Sequence, residues 1–360
     1  MKILALTRYG PLGASSRVRT MQYTDALAAR GIDVEVSPLL GDEYVADLYA
    51  GRTNWRLVIG SYLRRVAVVA TQARKADVLW IEKELWPWLP AWLERLFMAD
   101  KPVVLDFDDA IFHNYDLHRS AFVRRFYGHK IDALMRRATV VVVGNDYLGA
   151  RARTAQAPRV VRIPTVVSLE RYLSTEVRVP AADEPIRIVW IGTPGTVRYL
   201  KELAPALVEV ARACAIEVRV IGASVEMPGV PLVSVAWSAE TEAQEIARCD
   251  IGVMPLPDSP WERGKCGYKL IQYMACGMPV VASPVGVNAQ LVRPGVNGFL
   301  ASSTAEWAEA LVKLASDRGR RAELGAAGRR LVEAEYSLSI NADRLAAELR
   351  FASASGKRER

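Results

Sequence analysis

Short apolar runs alternate along this chain with longer stretches in which apolar positions recur every three or four residues. In the first half the runs read KILALT, IDVEVSPLL, DVLWIEK, KPVVLDFDD, TVVVVGN and RVVRIPT. Consecutive Val, Ile and Leu positions suit strands buried on both faces, and the intervening period suits amphipathic helices, the first expected from about Ser15 to Arg30 and stopped by Gly31. Strand and helix in regular alternation predict βαβ units and a doubly wound parallel sheet.

The stretch STEVRVPAADEP breaks the pattern and reads as a linker. Beyond it the alternation restarts with IRIVWIG, IEVRVIG, PLVSVAW, DIGVMPL, MPVVASP and GFLA. The expected organisation is therefore α/β, with two Rossmann-like domains at 1–175 and 185–336 facing a central cleft. A helix over 337–351 is expected to pack back on the first domain, and the tail 352–360 to be disordered.

A length of 360 residues fits two domains, and 51% apolar with 24% charged residues is an ordinary globular composition. No apolar run reaches the ~18 residues of a membrane span, and the chain enters a strand at once, so a cytoplasmic protein is expected. Four scattered cysteines without a CxxC pair indicate neither a disulfide framework nor a zinc site. The net charge of +7 lies wholly in residues 1–180, which hold 26 Lys and Arg against 19 Asp and Glu; the second half is neutral. No nucleic-acid motif accompanies that excess.

Residues 264–286, GKCGYKLIQYMACGMPVVASPVG, carry the most pointed chemistry. Arg263 and Lys265 stand at the amino end of an expected helix, where cations are unfavourable unless an anion sits among them, and Lys269 lies one turn on. Phosphate is the natural candidate. The strand end WIGTPGTVRYL offers a second phosphate-facing loop at Gly192 and Thr193, with Arg198 in the following turn. Its glycine spacing is not a dinucleotide fingerprint, and a Walker pattern at Gly264 fails because Ser259 stands five positions before it.

QYMACGMPVVAS, Gly286 and VNGFL at 296–300 resemble the carboxy-terminal signature of GT-B glycosyltransferases of family 4. The resemblance spans about forty residues with several fixed spacings, and extends weakly to SSRVR and IPTVV. It implies a retaining hexosyltransferase that moves a sugar from a nucleotide-diphosphate sugar to a hydroxyl acceptor, without a metal or other cofactor, in cell-surface polysaccharide or glycolipid assembly. Lys265 and Lys269 look like a K-x-x-x-K variant that holds the donor diphosphate. Where many members carry a Glu pair, this chain has Gly264 and Gln272; Gln272 is then left to bind the ribose, more weakly than a carboxylate.

In the first half, Asp106, Asp108 and Asp109 leave the carboxyl end of a buried strand, where three carboxylates repel one another unless exposed, protonated or paired. Asp108 and Asp109 align with a His-Asp pair of the family and are the expected catalytic carboxylates, with His113 as a competing base. His113, Asp116 and His118 also allow a metal reading, though their spacing matches no known ligand motif. Arg17 and Arg19 are expected either to bind an acceptor phosphate or simply to start a helix. Between Arg52 and Met98, arginines 56, 64, 65 and 74 and Lys75 mix with tryptophans 55, 86, 88 and 92. That mixture fits weak contact with the inner face of a membrane, or buried aromatics beside solvated charges. An epimerase of the same fold and a catalytically degenerate nucleotide-binding subunit are the alternatives to a transferase.

Overall fold

The computed structural model describes residues 1–98, 101–173, 181 and 184–358. The chain forms two compact units. One contains Met1–Val166, the short segment Arg263–Cys266 and the chain from Leu338 onward; the other contains Val167–Glu262 and Gly267–Ser337. Most of the expected linker lies outside the described residues.

The first unit is built on strands β1 (Lys2–Tyr9), β2 (Asp33–Leu40), β3 (Val78–Glu82), β4 (Val103–Phe107), β5 (Val140–Val143) and β6 (Val160–Arg162). They pair in parallel in the order β2-β1-β3-β4-β5-β6. Strands β3, β4 and β5 are buried along their whole length, which is why their sequences run apolar rather than alternate. The second unit repeats the plan with β7 (Ile186–Ile191), β8 (Ile216–Ile221), β9 (Leu232–Val235), β10 (Ile251–Met254), β11 (Val280–Ala282) and β12 (Gly298–Leu300), in the parallel order β12-β11-β10-β7-β8-β9. All twelve expected strands are present, in two doubly wound sheets.

Two departures have plain causes. The expected helix from Ser15 to Arg30 is broken: Ala14–Arg19 and Thr24–Ala28 are separated at Thr20, whose backbone leaves the helical region. The last helix, Leu338–Arg358, does not stop at Phe351. Ala342, Leu345 and Leu349 pack with Ile3, Trp80 and Val104 of the first unit, and Ala352 continues that buried stripe into the stretch expected to be a tail.

Each sheet reverses its strand order once, between β1 and β3 in the first unit and between β7 and β10 in the second. Open α/β sheets leave a crevice at the carboxyl ends of the strands where the order reverses. Glu82 at the end of β3 and the Gly192–Thr193 turn after β7 lie at such points.

Candidate active site

In the first unit, parallel pairing sets Glu82 at the end of β3 beside Asp106 in β4, and Asp108 and Asp109 follow where β4 ends. Each aspartate meets a different cation. Arg19 reaches Asp106 at 2.7 Å, Lys83 reaches Asp108 at 2.8 Å, and Lys265 approaches Asp109 at 3.5 Å. Glu82 accepts hydrogen bonds from the Ser16 hydroxyl at 2.5 Å and the Ser15 hydroxyl at 2.7 Å, and Ser15 also lies 2.7 Å from Asp108. The repulsion expected among these carboxylates is thus relieved one pair at a time.

Lys83 is the centre of this cluster. Its side chain is 5% exposed, it lies 3.0 Å from Ser15 and 3.7 Å from Glu82, and its backbone sits at φ 67. A left-handed backbone costs a lysine roughly 1–2 kcal/mol, so the neighbouring structure must hold it. It does: Glu94 accepts from the Leu85 N–H at 2.7 Å, Lys130 donates to Glu84 and to the Trp86 carbonyl at 2.6 Å, and Tyr115 donates to Glu84 at 2.8 Å. Burial disfavours the Lys83 charge, but Asp108 and Glu82 outweigh that and hold the ammonium above its usual range. Burial likewise opposes the Asp108 carboxylate, and Lys83 with Ser15 still holds its pKa below the ordinary value. Asp106 behaves differently: burial pushes it up to about 6 in spite of Arg19.

The segment Arg263–Cys266 is fastened to this unit. Asn145, whose side chain caps the helix Asp146–Thr154, donates to the carbonyls of Gly264 and Lys265 at 2.9 Å each. A Cβ on Gly264 would stand 2.5 Å from the Ala110 Cβ, so this glycine serves a close approach of two backbones rather than of a ligand.

Other residues singled out in the sequence have partners of their own, and Arg17 and Arg19 lie in the helix Ala14–Arg19. Arg19 is buried and committed to Asp106 and to the Ile163 carbonyl at 2.9 Å, which removes its guanidinium from any acceptor substrate. Arg17 donates to the Pro11 carbonyl at 2.8 Å. His113 is engaged at both ring nitrogens, with Asp116 at 2.7 Å and Tyr147 at 2.8 Å. His118 accepts from the Ser120 N–H instead, so it and His113 do not share a ligand position; among the described residues no group of three His, Cys, Asp or Glu is placed to hold a metal. Trp86 is buried, as the buried-aromatic alternative has it, and Arg65 is buried rather than solvated.

In the second unit the loop after β7 and the helix Tyr268–Ala275, which carries the start of the family signature, converge on one indole. The ring of Trp190 lies under Gly192, where a Cβ would fall 2.3 Å from it, and the Lys269 ammonium stands 5.0 Å from the ring centroid. The Thr193 N–H donates to Thr196 at 3.1 Å, which closes the turn. Arg198 is largely exposed, 3.1 Å from the Tyr199 hydroxyl, and Tyr199 donates to the buried Glu262 at 2.5 Å. Gly267 caps the helix at φ 68, a conformation that a side chain would strain, and a Cβ there would meet Leu291 at 2.4 Å. Gln272 points the other way: it is buried and donates to the buried Tyr172 hydroxyl at 3.1 Å, away from any ribose.

A cavity of about 430 Å³ opens at the carboxyl ends of β10 and β11. Leu256, Pro257, Asp258, Ser283, Pro284 and Trp307 are among its walls. Sequence reasoning missed this cavity, and it missed Lys83, Glu82 and Ser15. The signal for Lys83 was present in DVLWIEKE, a buried strand that ends in three charges, as the aspartate strand does.

Two parallel sheets of this order, each with its cluster at the switch point, define the GT-B class of folds. Residues 185–317 match the family described as Glycosyl transferases group 1. Among curated relatives, a GDP-mannose-dependent monoacylated alpha-(1-6)-phosphatidylinositol monomannoside mannosyltransferase of Corynebacterium glutamicum is 39% identical over 80 residues, 22% of this chain and 21% of that protein. A D-inositol 3-phosphate glycosyltransferase of Rhodococcus jostii is 40% identical over 88 residues, 24% of this chain and 19% of that protein. The matched stretches thus span only about a fifth of each relative. Over nearly the whole chain the fold is similar to sucrose-phosphate synthase from Thermosynechococcus elongatus, with TM-score 0.73, 18% identity and coverage of 99% of this chain and 100% of that one. It is also similar to Anabaena HepE in complex with UDP-glucose, with TM-score 0.66, 17% identity and coverage of 97% and 99%.

Proposed function

We propose that the protein is a retaining glycosyltransferase that takes a sugar from a nucleotide-diphosphate sugar and passes it to a hydroxyl acceptor in polysaccharide or glycolipid assembly. The observation that carries this is the convergence of Lys269 and the Gly192–Thr193 turn on Trp190, inside the unit that bears the family match. Cleaving the glycosidic bond builds negative charge on the leaving diphosphate and positive charge on the sugar. Fixed cations and N–H dipoles stabilise the first without reorganising as the reaction proceeds. Lys269, Arg198 and the turn are assigned that task, and the 430 Å³ cavity of the same unit is assigned the nucleoside. No metal is required in this scheme, because the chain's own cations carry the charge.

Lys265 and the Lys83–Asp108 pair, described with the first unit, are assigned to the sugar and the acceptor hydroxyl. An Asp108 kept ionised at neutral pH accepts a hydrogen bond from that hydroxyl or stabilises the positive sugar. One curated relative is named for GDP-mannose and a phosphatidylinositol mannoside, the other for inositol 3-phosphate, and HepE holds UDP-glucose, so donors of both bases belong in the screen.

The test is nucleoside diphosphate release from UDP-, GDP-, ADP- and dTDP-sugars with and without hydroxyl acceptors, followed by NMR of the product anomer. Acceptor-dependent release with the donor's anomeric configuration kept is expected. An inverted product contradicts the retaining assignment, and release of no diphosphate from any donor contradicts the transferase.

A further inference from the structure

The helix Trp55–Gln72 turns apolar side chains outward. Trp55, Ile59, Leu63 and Val66 follow one another at spacings of four, four and three along one side, and Trp55, Ile59 and Leu63 are 60–69% exposed. From Arg52 to Lys75 the chain holds six Arg and Lys, of which Arg65 is buried and the others exposed, and no Asp or Glu. The helix Ala91–Met98 adds Trp92 and Leu96, 66% and 67% exposed, and the helix Ala121–Tyr127 adds Phe122 and Phe126 at 64% each. Residues 117–131 again contain cations, Arg119 and Arg125 among the exposed ones, and no acid.

These segments belong to one surface of the first unit. The connections β2 to β3, β3 to β4 and β4 to β5 all step the same way across the sheet, and right-handed crossovers therefore lay their helices on one face. Contacts join them: Tyr62 donates to the Pro87 carbonyl at 2.9 Å, Trp88 packs edge-on against His118 at 5.8 Å, and Arg124 donates to the His118 carbonyl at 2.6 Å.

We infer that this face docks on an anionic lipid bilayer. Large apolar side chains exposed to water mark a surface that is covered in use. The excess of cations over acids in the stretches 52–75 and 117–131 favours a negatively charged cover, and tryptophan with phenylalanine and leucine between arginines is the composition that lies in a headgroup layer. No helix among the described residues is long and apolar enough to cross a membrane, so the contact is peripheral.

The test is co-sedimentation of the full chain with vesicles of pure phosphatidylcholine and of phosphatidylcholine with a third phosphatidylglycerol, over a salt series and with no donor present. Its failure therefore leaves the transfer reaction standing. Binding to the anionic vesicles alone, weakened by salt and at least about tenfold weaker in Ile59→Ser/Leu63→Ser with an unchanged Tm, is expected. Equal binding to both vesicles, no binding to either, or an unaltered affinity in the double variant overturns it. So does a wild-type dimer in solution that the double variant converts to a monomer, since a second copy then covers this face.

Discussion

The ammonium of Lys83 stands 2.8 Å from the carboxylate of Asp108, held there by a backbone at φ 67. Replacing the cation by an apolar group of like length removes what keeps Asp108 ionised. Lys83→Met is expected to lower kcat/KM for transfer by about ten- to a hundredfold and to move the acid limb of its pH profile upward. A profile of unchanged shape and only reduced height gives Lys83 a structural role alone.

Arg19 and Asp106 form a buried pair, and breaking such a pair from one side leaves a charge without a partner. Arg19→Met is expected to destabilise the fold by about 3–5 kcal/mol in urea denaturation. An acceptor-binding arginine would instead raise the acceptor KM and spare stability.

Burial raises the Asp106 pKa from its ordinary 3.8 to about 6. The native state therefore binds more protons than the unfolded one between about pH 4 and 6, and this group's contribution to stability falls as pH rises through that window. Denaturation of Asp106→Asn and of the wild type across it should show the variant gaining relative stability with rising pH. A constant gap contradicts the assignment.

Gln272, which the resemblance aligns with a glutamate, is buried against Tyr172. Gln272→Glu is expected to bury a carboxylate, to lower Tm by several degrees and to leave nucleotide affinity unimproved. Tighter nucleotide binding in this variant would return the residue to the donor site.

The strand pattern was open to sequence reasoning because both sheets are covered on both faces, and burial writes itself into consecutive Val and Ile positions such as 140–143. The glycine and proline spacings around Tyr268–Ala275 were equally open, since Gly267 answers a backbone requirement that is local. What sequence could not show is which charged residues meet. Arg17 and Arg19 are two positions apart, but one reaches a neighbouring carbonyl and the other is sealed under Asp106. Lys83 finds Asp108 only because β3 and β4 pair in register, a long-range fact with no local trace. Gln272 was misplaced for a related reason: the face a helical residue presents depends on what packs above it.

The donor assignment turns on whether Lys269 and the Gly192–Thr193 turn hold the diphosphate of a nucleotide-sugar. A thermal-shift titration of the wild type and Lys269→Met with UDP-, GDP-, ADP- and dTDP-sugars decides it, because a ligand that binds only the folded state must raise Tm. Donors of one base should give a concentration-dependent rise, lost or at least about tenfold weaker in Lys269→Met, whose ligand-free Tm stays within a few degrees of the wild type. A rise of equal size and concentration dependence in both proteins, or none with any donor, contradicts it.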